Sequence, residues 1–396
     1  MRRRIFWTSA SLVLYTYLAF PALVFLRARL RQAPYRSEDT TPSVSLLVAA
    51  YNERASIGAK LVNSLSLDYP RDCLEVIVAS DGSDDGTDDV VRAHEKDGVR
   101  LLSLPRAGKA AALNAAVAAS TGEILVFSDA NSIYAADAIR ALVRPFADSR
   151  IGGVAGNQRY RPGAITGGTA EGERTYWNFD RVLKEAESRA GSTISATGAI
   201  YAIRRNLFQG VPVGVTDDFA ISTSVIAQGY RLVFAADAVA WEPVASSGTD
   251  EWARKVRVIS RGFRGVWERR ELLRPRHGFY AVQLLSHKLL RRLMGVPLLV
   301  MAVVAPTLWR HGFVYRLASI GQGAFVALGL AGLLLGERRG GRHRLLAVPA
   351  FFLMVNAAAL TAAWNVIRGR RIDRWDTVRT GGVEPDVAPD GHAAGR

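Results

Sequence analysis

Three short polar clusters follow apolar runs in the first third of the sequence, and their side chains are suited to binding a cation or a phosphate. The clusters are Tyr51-Asn52-Glu53, Asp81-Gly82-Ser83 and Asp129-Ala130-Asn131. Carboxylate and amide oxygens are the ligands that hard divalent cations take, and such cations commonly bridge phosphates. Each cluster alone is also explained as a turn or a helix cap, for which Asp, Asn and Ser are favoured. Their order and spacing together favour one shared site.

A basic segment lies between the second and third clusters. Lys109, with Arg106 shortly before it, is a candidate ligand of a diphosphate or a sugar. The alternative is a solvated charge at the start of a helix. The segment is not a P-loop, because the glycine spacing and the Ser or Thr after Lys are absent.

The elements that must position these side chains form an alternating α/β pattern. Short β-rich apolar runs alternate with helical patterns, which is typical of βαβ units and a mostly parallel sheet. The predicted strands are 45–50, 74–79, 99–104, 123–127, 153–159, 199–204 and 231–239. The predicted helices are 55–67, 85–96, 108–120, 169–189 and 250–270. Ligands bind at the carboxyl ends of such strands, so the three polar clusters should converge on one crevice.

The net charge of +15 over 396 residues is distributed in a way that argues against nucleic acid as a partner. Residues 37–251 are acidic, with 20 Lys and Arg against 28 Asp and Glu, whereas residues 252–292 carry 12 against 2. Residues 1–36 carry seven Arg and no acid. A nucleic-acid footprint would be a basic stripe on the folded domain itself. The basic excess instead borders apolar segments, as the positive-inside tendency and headgroup attraction predict. One cysteine, Cys73, rules out an intramolecular disulfide framework and a multi-cysteine zinc site.

Four apolar segments have lengths close to that of a spanning helix, which needs about 20 apolar residues. They are residues 5–26, 293–309, 317–335 and 345–367. The first is expected to be an anchor rather than a cleaved signal peptide, because its apolar run is long and arginines follow it. Segment 293–309 is short and contains two prolines, so a re-entrant segment is the alternative to a fourth span. Charge does not settle the side of the tail.

At this point the sequence resembles the family 2 glycosyltransferases, in particular the membrane-embedded group that includes cellulose, hyaluronan and poly-N-acetylglucosamine synthases. The resemblance covers roughly residues 42–293. It rests on an ordered set of motifs: Ala49-Ala50-Tyr51-Asn52-Glu53, Ser80-Asp81-Gly82-Ser83, Gly108-Lys109 with Ala112-Leu113-Asn114, Ser128-Asp129-Ala130-Asn131, Thr197-Gly198-Ala199, Thr216-Asp217-Asp218 and Arg261-Gly262-Phe263-Arg264. The resemblance implies a GT-A fold, an α/β domain with a mostly parallel sheet, followed by membrane helices.

The resemblance also implies a UDP-sugar donor and a divalent cation, Mg²⁺ or Mn²⁺. The cation would lie on Asp129 and Asn131, although Asn131 stands where the family has a second Asp and contributes no charge. Asp81 would hold the uridine part, and both arginines of the 261–264 motif would suit the diphosphate. The donor-binding set implied in this way is Ala50, Tyr51, Asn52, Glu53, Asp81, Gly82, Lys109, Asp129, Arg261 and Arg264.

On the acceptor side the resemblance implies that Asp218 is the general base, with Asp217 ranked second. A single base facing the acceptor hydroxyl implies one displacement with inversion. The alternative is that both acids are only helix-start residues favoured by the dipole. Thr197 and Gly198 correspond to the acceptor-side turn. The family's tryptophan is replaced by Gly265, and the nearest indole, Trp267, is the third residue expected to bind the acceptor.

The sequence thus predicts five parts and an enzyme that is a hexosyltransferase. The parts are a membrane anchor (1–36), a cytoplasmic GT-A domain (37–250), basic interfacial helices (251–292), transmembrane helices (293–367) and a disordered polar tail (368–396). His287 and Lys288 are expected to contact lipid headgroups. The expected partners are a UDP-sugar, a glycan or lipid-linked acceptor, membrane lipids and export subunits, at the inner cell membrane. Processive synthesis, single transfer to a lipid, and a catalytically silent scaffold remain the alternatives.

Overall fold

The computed structural model describes residues 1–160, 170–243, 248–336 and 343–370. Eight strands form one sheet among these residues. They are β1 (Val44–Ala50), β2 (Leu74–Asp81), β3 (Val99–Leu104), β4 (Ile124–Asp129), β5 (Ile133–Tyr134), β6 (Ile151–Tyr160), β7 (Tyr201–Arg204) and β8 (Arg231–Glu242). All seven predicted strands are present, and the two-residue β5 is the one that the sequence pattern did not predict. Of the predicted tail, residues 371–396 lie outside the described residues.

The strand order is β3-β2-β1-β4-β7-β6-β8-β5. The first four strands are mutually parallel, and β6 also pairs in parallel with β8. The β4–β7, β6–β7 and β5–β8 pairs are antiparallel. Strand β1 is buried along its whole length, as expected for a central strand with both faces covered. The prediction of a mostly parallel sheet is confirmed, with antiparallel pairing confined to the second half.

Helices cover both faces of this sheet and continue towards the chain's apolar segments. They are α1 (Arg2–Leu30), α2 (Arg54–Leu65), α3 (Thr87–Arg92), α4 (Lys109–Ala119), α5 (Ala138–Val143), α6 (Ala170–Ala190), α7 (Asp217–Ala227), α8 (Gly248–Glu268), α9 (Phe279–Leu293), α10 (Gly295–Thr307), α11 (Phe313–Leu335) and α12 (Arg344–Ile367). The predicted helix 85–96 is shorter than expected. Asp85 lies outside it and accepts the backbone N–H of Thr87 at 2.9 Å, so that the helix begins only at Thr87.

Among the described residues, three helices are long and apolar enough to cross a membrane, namely α1, α11 and α12. Helices α9 and α10 meet at a 50° bend and would add a fourth crossing only as one broken span. Sequence reasoning had singled out the α10 region as the weakest candidate. The alternatives of a span and a re-entrant segment both remain compatible with this bend.

Three contacts join the apolar helices to the rest of the fold and to one another. Helix α1 packs on α6 through Phe20, Val24 and Ala28, against Leu183, Ala186 and Ala190. Its beginning packs on α10 and α11. Helix α8, which is basic on its other face, packs Val256 and Ile259 on alanines of α12. Helix α8 therefore contacts the apolar helix α12.

Helix α9 carries Ser286-His287-Lys288, and for His287 the predicted headgroup contact is wrong. Its ring is buried, with Nδ1 2.9 Å from Glu187 Oε1 and Nε2 3.3 Å from Asp180 Oδ1. Asp180 and Glu187 are seven residues apart on α6 and therefore lie on one face of that helix. That face packs on α9 and withdraws His287 from the lipid.

Gly172→Val is expected to lower the stability of the contact between α6 and α12. A Cβ at Gly172 would stand 2.6 Å from both the Ala347 carbonyl oxygen and the Phe351 Cβ, so the two helices must separate. Overpacking of this kind costs about 1–3 kcal/mol. Thermal unfolding in detergent should show a lower midpoint, whereas Asn178→Val, at an exposed position of the same helix, should change it little. An equal effect of both variants would contradict this packing argument.

Candidate active site

The polar clusters lie at the carboxyl edge of the parallel half of the sheet. The chain leaves β1 for β2 on one side and later returns to β4 on the other, so the topological switch lies between β1 and β4. Residues 51–53 follow β1, residues 82–83 follow β2 and residues 130–131 follow β4. This is the edge at which open α/β sheets bind ligands. The three clusters therefore lie at one edge, as predicted.

Lys109 joins two of the predicted motifs through its ammonium group. Its Nζ lies 2.7 Å from Asp129 Oδ1 and 3.0 Å from Asp217 Oδ2, which brings together the end of β4 and the beginnings of α4 and α7. Burial disfavours the charged form of Lys109, but Asp129 and Asp217 outweigh it and hold the pKa of Lys109 above its ordinary range. The lysine is therefore a fixed positive charge in the crevice.

Asp81 fastens the loop that precedes Lys109. Its carboxylate, 1% exposed, accepts the backbone N–H groups of Ala107 at 2.7 Å and Gly108 at 2.9 Å, and also binds the Arg106 guanidinium. Gly82 has φ +68°, and a Cβ there would stand 2.8 Å from the Arg106 backbone nitrogen. Only a glycine lets the two loops approach so closely.

The loop after β1 completes the same wall of the crevice. The Tyr51 ring lies 3.4 Å beneath the Arg106 guanidinium, an arrangement that also suits stacking of a planar ligand group. Asn52 has φ 51° and exchanges two hydrogen bonds with Asp84, at 2.8 and 3.0 Å. The Glu53 backbone N–H donates to Thr87 Oγ1 at 2.9 Å. Ala50 is the buried last residue of β1.

Asp218 stands beside Asp217 at the beginning of α7 but has different neighbours. The Phe219 backbone N–H donates to its Oδ1 at 2.7 Å. Burial and the adjacent Asp217 raise the pKa of Asp218, while Lys288 and Lys109 only partly offset them. Asp217 is thus ion-paired to Lys109, whereas Asp218 has the raised pKa expected of a proton acceptor.

Three buried polar atoms around these acids have no hydrogen-bond partner among the described residues. They are Asn131 Oδ1, Thr197 Oγ1 and the Tyr201 hydroxyl oxygen. Gly198 lies close enough to Asp129 that a Cβ there would stand 2.9 Å from its Oδ2. Buried polar groups are normally satisfied. Unpartnered polar atoms around one acidic cluster are expected where a polar ligand binds.

Asp129 and Asn131 suit a divalent cation whose remaining ligands come from a substrate. Within the described ranges no three His, Cys, Asp or Glu side chains are grouped to hold a metal. A complete protein cage is not required, because Mg²⁺ is usually held by one or two carboxylates together with substrate phosphates. The unpartnered amide oxygen of Asn131 is a suitable neutral ligand beside the Asp129 carboxylate.

Arg264 and Trp267 contact residues of other parts of the chain. The Arg264 guanidinium donates to the Arg370 carbonyl oxygen at 2.6 Å, after the end of α12. Trp267 is 68% exposed, with the Arg270 guanidinium 5.3 Å from its ring centroid. Gly265, at the position of the family's tryptophan, faces Phe219, whose Cδ1 would stand 2.8 Å from an added Cβ.

Residues 45–211 match the family described as Glycosyl transferase family 2. The chain carries a family 2 glycosyl transferase domain. The match begins at β1 and ends before α7, so it contains the clusters at residues 51, 81, 109 and 129 but not the acids at 217 and 218. The predicted family is confirmed.

The comparison with curated proteins identifies relatives of the same kind. A poly-beta-1,6-N-acetyl-D-glucosamine synthase of Staphylococcus aureus (strain COL) is 28% identical over 247 residues, which are 60% of this chain and 58% of that protein. The protein of the same name from Staphylococcus epidermidis is 27% identical over 227 residues, 55% of this chain and 54% of its own length. The chain therefore spans a little over half the length of these relatives.

A solved structure extends the likeness beyond the glycosyl transferase domain. A mannosyltransferase from Pyrobaculum calidifontis, in complex with GDP-Man and Mn²⁺, superposes with a TM-score of 0.66 at 26% identity. The superposition covers 93% of this chain and 100% of that one. The predicted GT-A class with attached apolar helices is confirmed.

Sequence reasoning missed Lys60, a cation inside the glycosyl transferase domain. It lies on α2 with 0% exposure, and its Nζ stands 3.7 Å above the Tyr134 ring centroid. Burial lowers the pKa of Lys60 to about 7, although Asp129 and Glu242 raise it. The signal was present, because Lys60 lies within the buried stripe of Ile57, Leu61 and Ser64. A lysine in such a stripe indicates an internal charge.

Proposed function

We propose that this chain is a membrane-bound, inverting glycosyltransferase that transfers a sugar from a nucleoside diphosphate sugar to a glycan or lipid-linked acceptor. The observation that carries the proposal is the Lys109 bridge, which joins Asp129 and Asp217 beside three unpartnered polar atoms at the switch point of the sheet. A fixed cation between two acids suits a departing diphosphate. Polysaccharide or cell-envelope glycan synthesis is the process that we assign, in line with the names of the staphylococcal relatives.

In this proposal Asp218 takes the proton of the acceptor hydroxyl. A carboxylate in hydrogen-bond reach of that hydroxyl increases its nucleophilicity as the sugar carbon is attacked. Attack occurs opposite the departing diphosphate, so the configuration at that carbon inverts. Thr197 and Gly198 form the turn beside Asp129, and the unpartnered Thr197 hydroxyl can donate to an acceptor sugar. Asp217 keeps Lys109 in place.

The donor would lie between the Tyr51 and Asp129 sides of the crevice. Lys109 would bind the diphosphate, and the loop 105–108 held by Asp81 would support the nucleoside. A divalent cation on Asp129 and Asn131, Mg²⁺ or Mn²⁺, would neutralise charge on the leaving diphosphate. UDP is the nucleotide that we propose. The GDP-Man bound by the archaeal neighbour makes GDP the competitor to test against it.

We place the protein in the inner cell membrane with the glycosyl transferase domain in the cytoplasm, where nucleotide sugars are made. The basic residues of 252–292 would contact anionic headgroups, and export or assembly subunits are proposed partners. Within the enzyme class, a single transfer is favoured over processive synthesis by Gly265. The ring of Phe219 occupies the space beside it, so the acceptor platform that the family's indole provides is not formed there.

The proposal is tested with membranes that contain the protein and a panel of radiolabelled UDP-, GDP- and dTDP-sugars. We expect label from one UDP-sugar to be transferred to a product that can be extracted with acid or with a lipid solvent. Gel electrophoresis then shows whether this product carries one added sugar or is a polymer. Membranes with an Asp129→Ala variant are the control. Absence of transfer and of nucleotide release with the whole panel would contradict the proposal.

Asp81→Ala is expected to abolish donor binding before it abolishes folding. The change leaves the backbone N–H groups of Ala107 and Gly108 without their carboxylate acceptor, and it releases Arg106. The loop before Lys109 should then lose its fixed position. Calorimetry should detect little UDP binding, with circular dichroism close to that of the wild type. UDP binding of unchanged affinity would remove Asp81 from the donor site.

Arg261→Ala remains a prediction about the donor. If Arg261 and Arg264 bind the diphosphate during turnover, the variant should weaken UDP affinity about tenfold, the effect of losing one charge-assisted hydrogen bond. Arg270→Ala, which removes an exposed arginine two residues beyond the end of α8, is the matched control. Unchanged UDP affinity together with weaker association with anionic vesicles would assign the arginines to lipid.

A further inference from the structure

Two cations on α9 have no carboxylate partner among the described residues. Lys288 Nζ has no acid within 4 Å, and its nearest recorded aromatic contact is the Phe219 ring, at 6.0 Å from the centroid. Arg292 lies 5.6 Å from the Phe263 ring centroid, and its Nη1 is buried without a hydrogen-bond partner. The other two basic side chains of this helix have acidic neighbours: His287 lies against Glu187 and Asp180, and Arg291 Nη1 is 3.9 Å from Asp180 Oδ1.

The two unpaired cations are also close to one another. Residues 288 and 292 are four apart on one helix, a spacing that brings side chains together on one face, where like charges destabilise a helix. Both side chains are half-buried, so water compensates them only in part. An unpaired, partly desolvated cation is costly in a folded protein. Two together are the arrangement that an anionic ligand would relieve.

The pair lies close to Asp218, since Lys288 Nζ is 6.0 Å from the ring centroid of Phe219, the next residue. Asp217 is paired with Lys109, which also binds Asp129, whereas the positive charge of Lys288 lowers the pKa of Asp218. The two neighbouring acids thus separate a donor-side cation from the pair on α9. The donor diphosphate is already served by Lys109, so a second anion is expected on the acceptor side.

The pair also marks the boundary of the apolar helices. Arg292 is followed within three residues by α10, whose sequence from Gly295 to Thr307 contains no charge. Helix α8 makes room for the arginine, because a Cβ at Gly262 would overlap the Arg292 guanidinium. An anion here would sit at headgroup depth, next to the proposed base.

We infer that Lys288 and Arg292 bind the phosphate of a lipid-anchored acceptor, whose sugar hydroxyl then reaches Asp218. This assignment rests on the proposed function and specifies its acceptor as a sugar carried on a lipid phosphate or diphosphate. Guanidinium and ammonium groups are the usual ligands of phosphate. The packing of Phe219 against Gly265 agrees with this assignment. Without an aromatic platform for stacking, the acceptor would be held by contacts to its phosphate instead.

The test measures binding directly, without transfer. The probes are farnesyl phosphate and farnesyl diphosphate, with farnesol as the uncharged control, titrated into the detergent-solubilised full chain by microscale thermophoresis. We expect the phosphates to bind at least tenfold more tightly than farnesol. Lys288→Gln and Arg292→Gln should each weaken phosphate binding about tenfold to a hundredfold, the loss of a charge-assisted hydrogen bond. Arg292→Lys should retain part of the affinity.

Controls separate this site from a general charge effect and from misfolding. Arg274→Gln removes one exposed positive charge from the segment before α9 and should leave farnesyl phosphate binding unchanged. Because Lys288 and Arg292 are unpaired, their Gln variants should unfold at the same or a higher temperature than the wild type. If Lys288 and Arg292 had only a structural role, their Gln variants would be less stable. A Gln variant that is more stable than the wild type but does not bind farnesyl phosphate therefore supports a binding role.

Several outcomes would overturn the inference. Farnesol binding as tightly as farnesyl phosphate would do so, and so would Gln variants with unchanged phosphate affinity. Displacement of the probe by an equal concentration of phosphatidylglycerol would assign the pair to bulk headgroups instead. UDP binding measured on the same samples keeps the two proposals apart. Loss of nucleotide binding in the wild type would count against the proposed function, whereas intact UDP binding without phosphate binding would count only against the acceptor site.

Discussion

Asp218→Asn is expected to slow sugar transfer by about 10²–10⁴-fold, the usual contribution of a positioned general base. The amide keeps the shape of the side chain and its hydrogen bond from the Phe219 N–H, but it cannot take a proton. Because Asp217, and not Asp218, binds Lys109, the affinity for UDP should change little. Initial rates and calorimetry on one preparation provide both numbers.

The pH dependence of the wild type gives a second reading of the same residue. Burial and Asp217 raise the pKa of Asp218 above its ordinary 3.8, so the active, ionised form is lost as the pH falls through this raised value. The transfer rate should therefore decrease on the acid side, and the small residual rate of Asp218→Asn should lack that limb. Since the ionised form is disfavoured by burial, the Asn variant should be at least as stable as the wild type near neutral pH.

A near-normal rate in Asp218→Asn would move the base elsewhere. Asp218 is not the N-cap of α7, since Thr216 holds that position, so a purely structural role would have to lie in its contact with Phe219. Asn can accept the same hydrogen bond. In that case Asp217→Asn is the next variant, although its ion pair with Lys109 means that it should weaken donor binding as well.

Removal of divalent cations is expected to abolish transfer, a loss of more than about a hundredfold, since metal-ion stabilisation of a leaving group is worth several kcal/mol. Dialysis against excess chelator should stop the reaction, and Mg²⁺ or Mn²⁺ should restore it. Full activity in chelator would contradict the assignment of a metal to Asp129 and Asn131 and would leave Lys109 as the group that neutralises the diphosphate.

Asn131→Asp and Asn131→Leu form a matched pair for the same site. The amide oxygen of Asn131 is buried without a partner, so it is available as a ligand but adds no charge. The acid should keep or tighten the affinity for Mn²⁺, measured by electron paramagnetic resonance, whereas Leu should weaken it. A folded Asn131→Asp variant with weaker Mn²⁺ binding would show that residue 131 is not a ligand.

Local sequence was enough to predict the sheet and the edge that carries the site. The apolar runs that became β1, β2 and β4 are short, bounded by polar residues and spaced by helical patterns, and each retains that character in the fold. Residues that follow strands of a parallel sheet must meet at one edge, whatever the details of packing. The positions of Tyr51, Asp81 and Asp129 were therefore accessible without coordinates.

Local sequence did not predict the contacts between elements that are distant in the chain. The sequence offered Lys109 as either a ligand or a solvated charge, and only the approach of α7 to α4 pairs it with Asp217. His287 had the neighbours of a headgroup contact in sequence but is buried against two acids of α6, about a hundred residues earlier. Antiparallel pairing of β7 with β4 and β6 was likewise not encoded in any local pattern.

The replacement of the family's tryptophan shows the same division between local and tertiary information. Gly265 can be read from the sequence as a missing indole, but only the packing of α8 on α7 shows that Phe219 occupies the space. The unpaired state of Lys288 and Arg292 is also a tertiary property, because it depends on which carboxylates the fold brings within reach. Sequence periodicity specifies which face of an element is buried. The partners that meet that face are determined by the relative placement of distant elements, which depends on their packing.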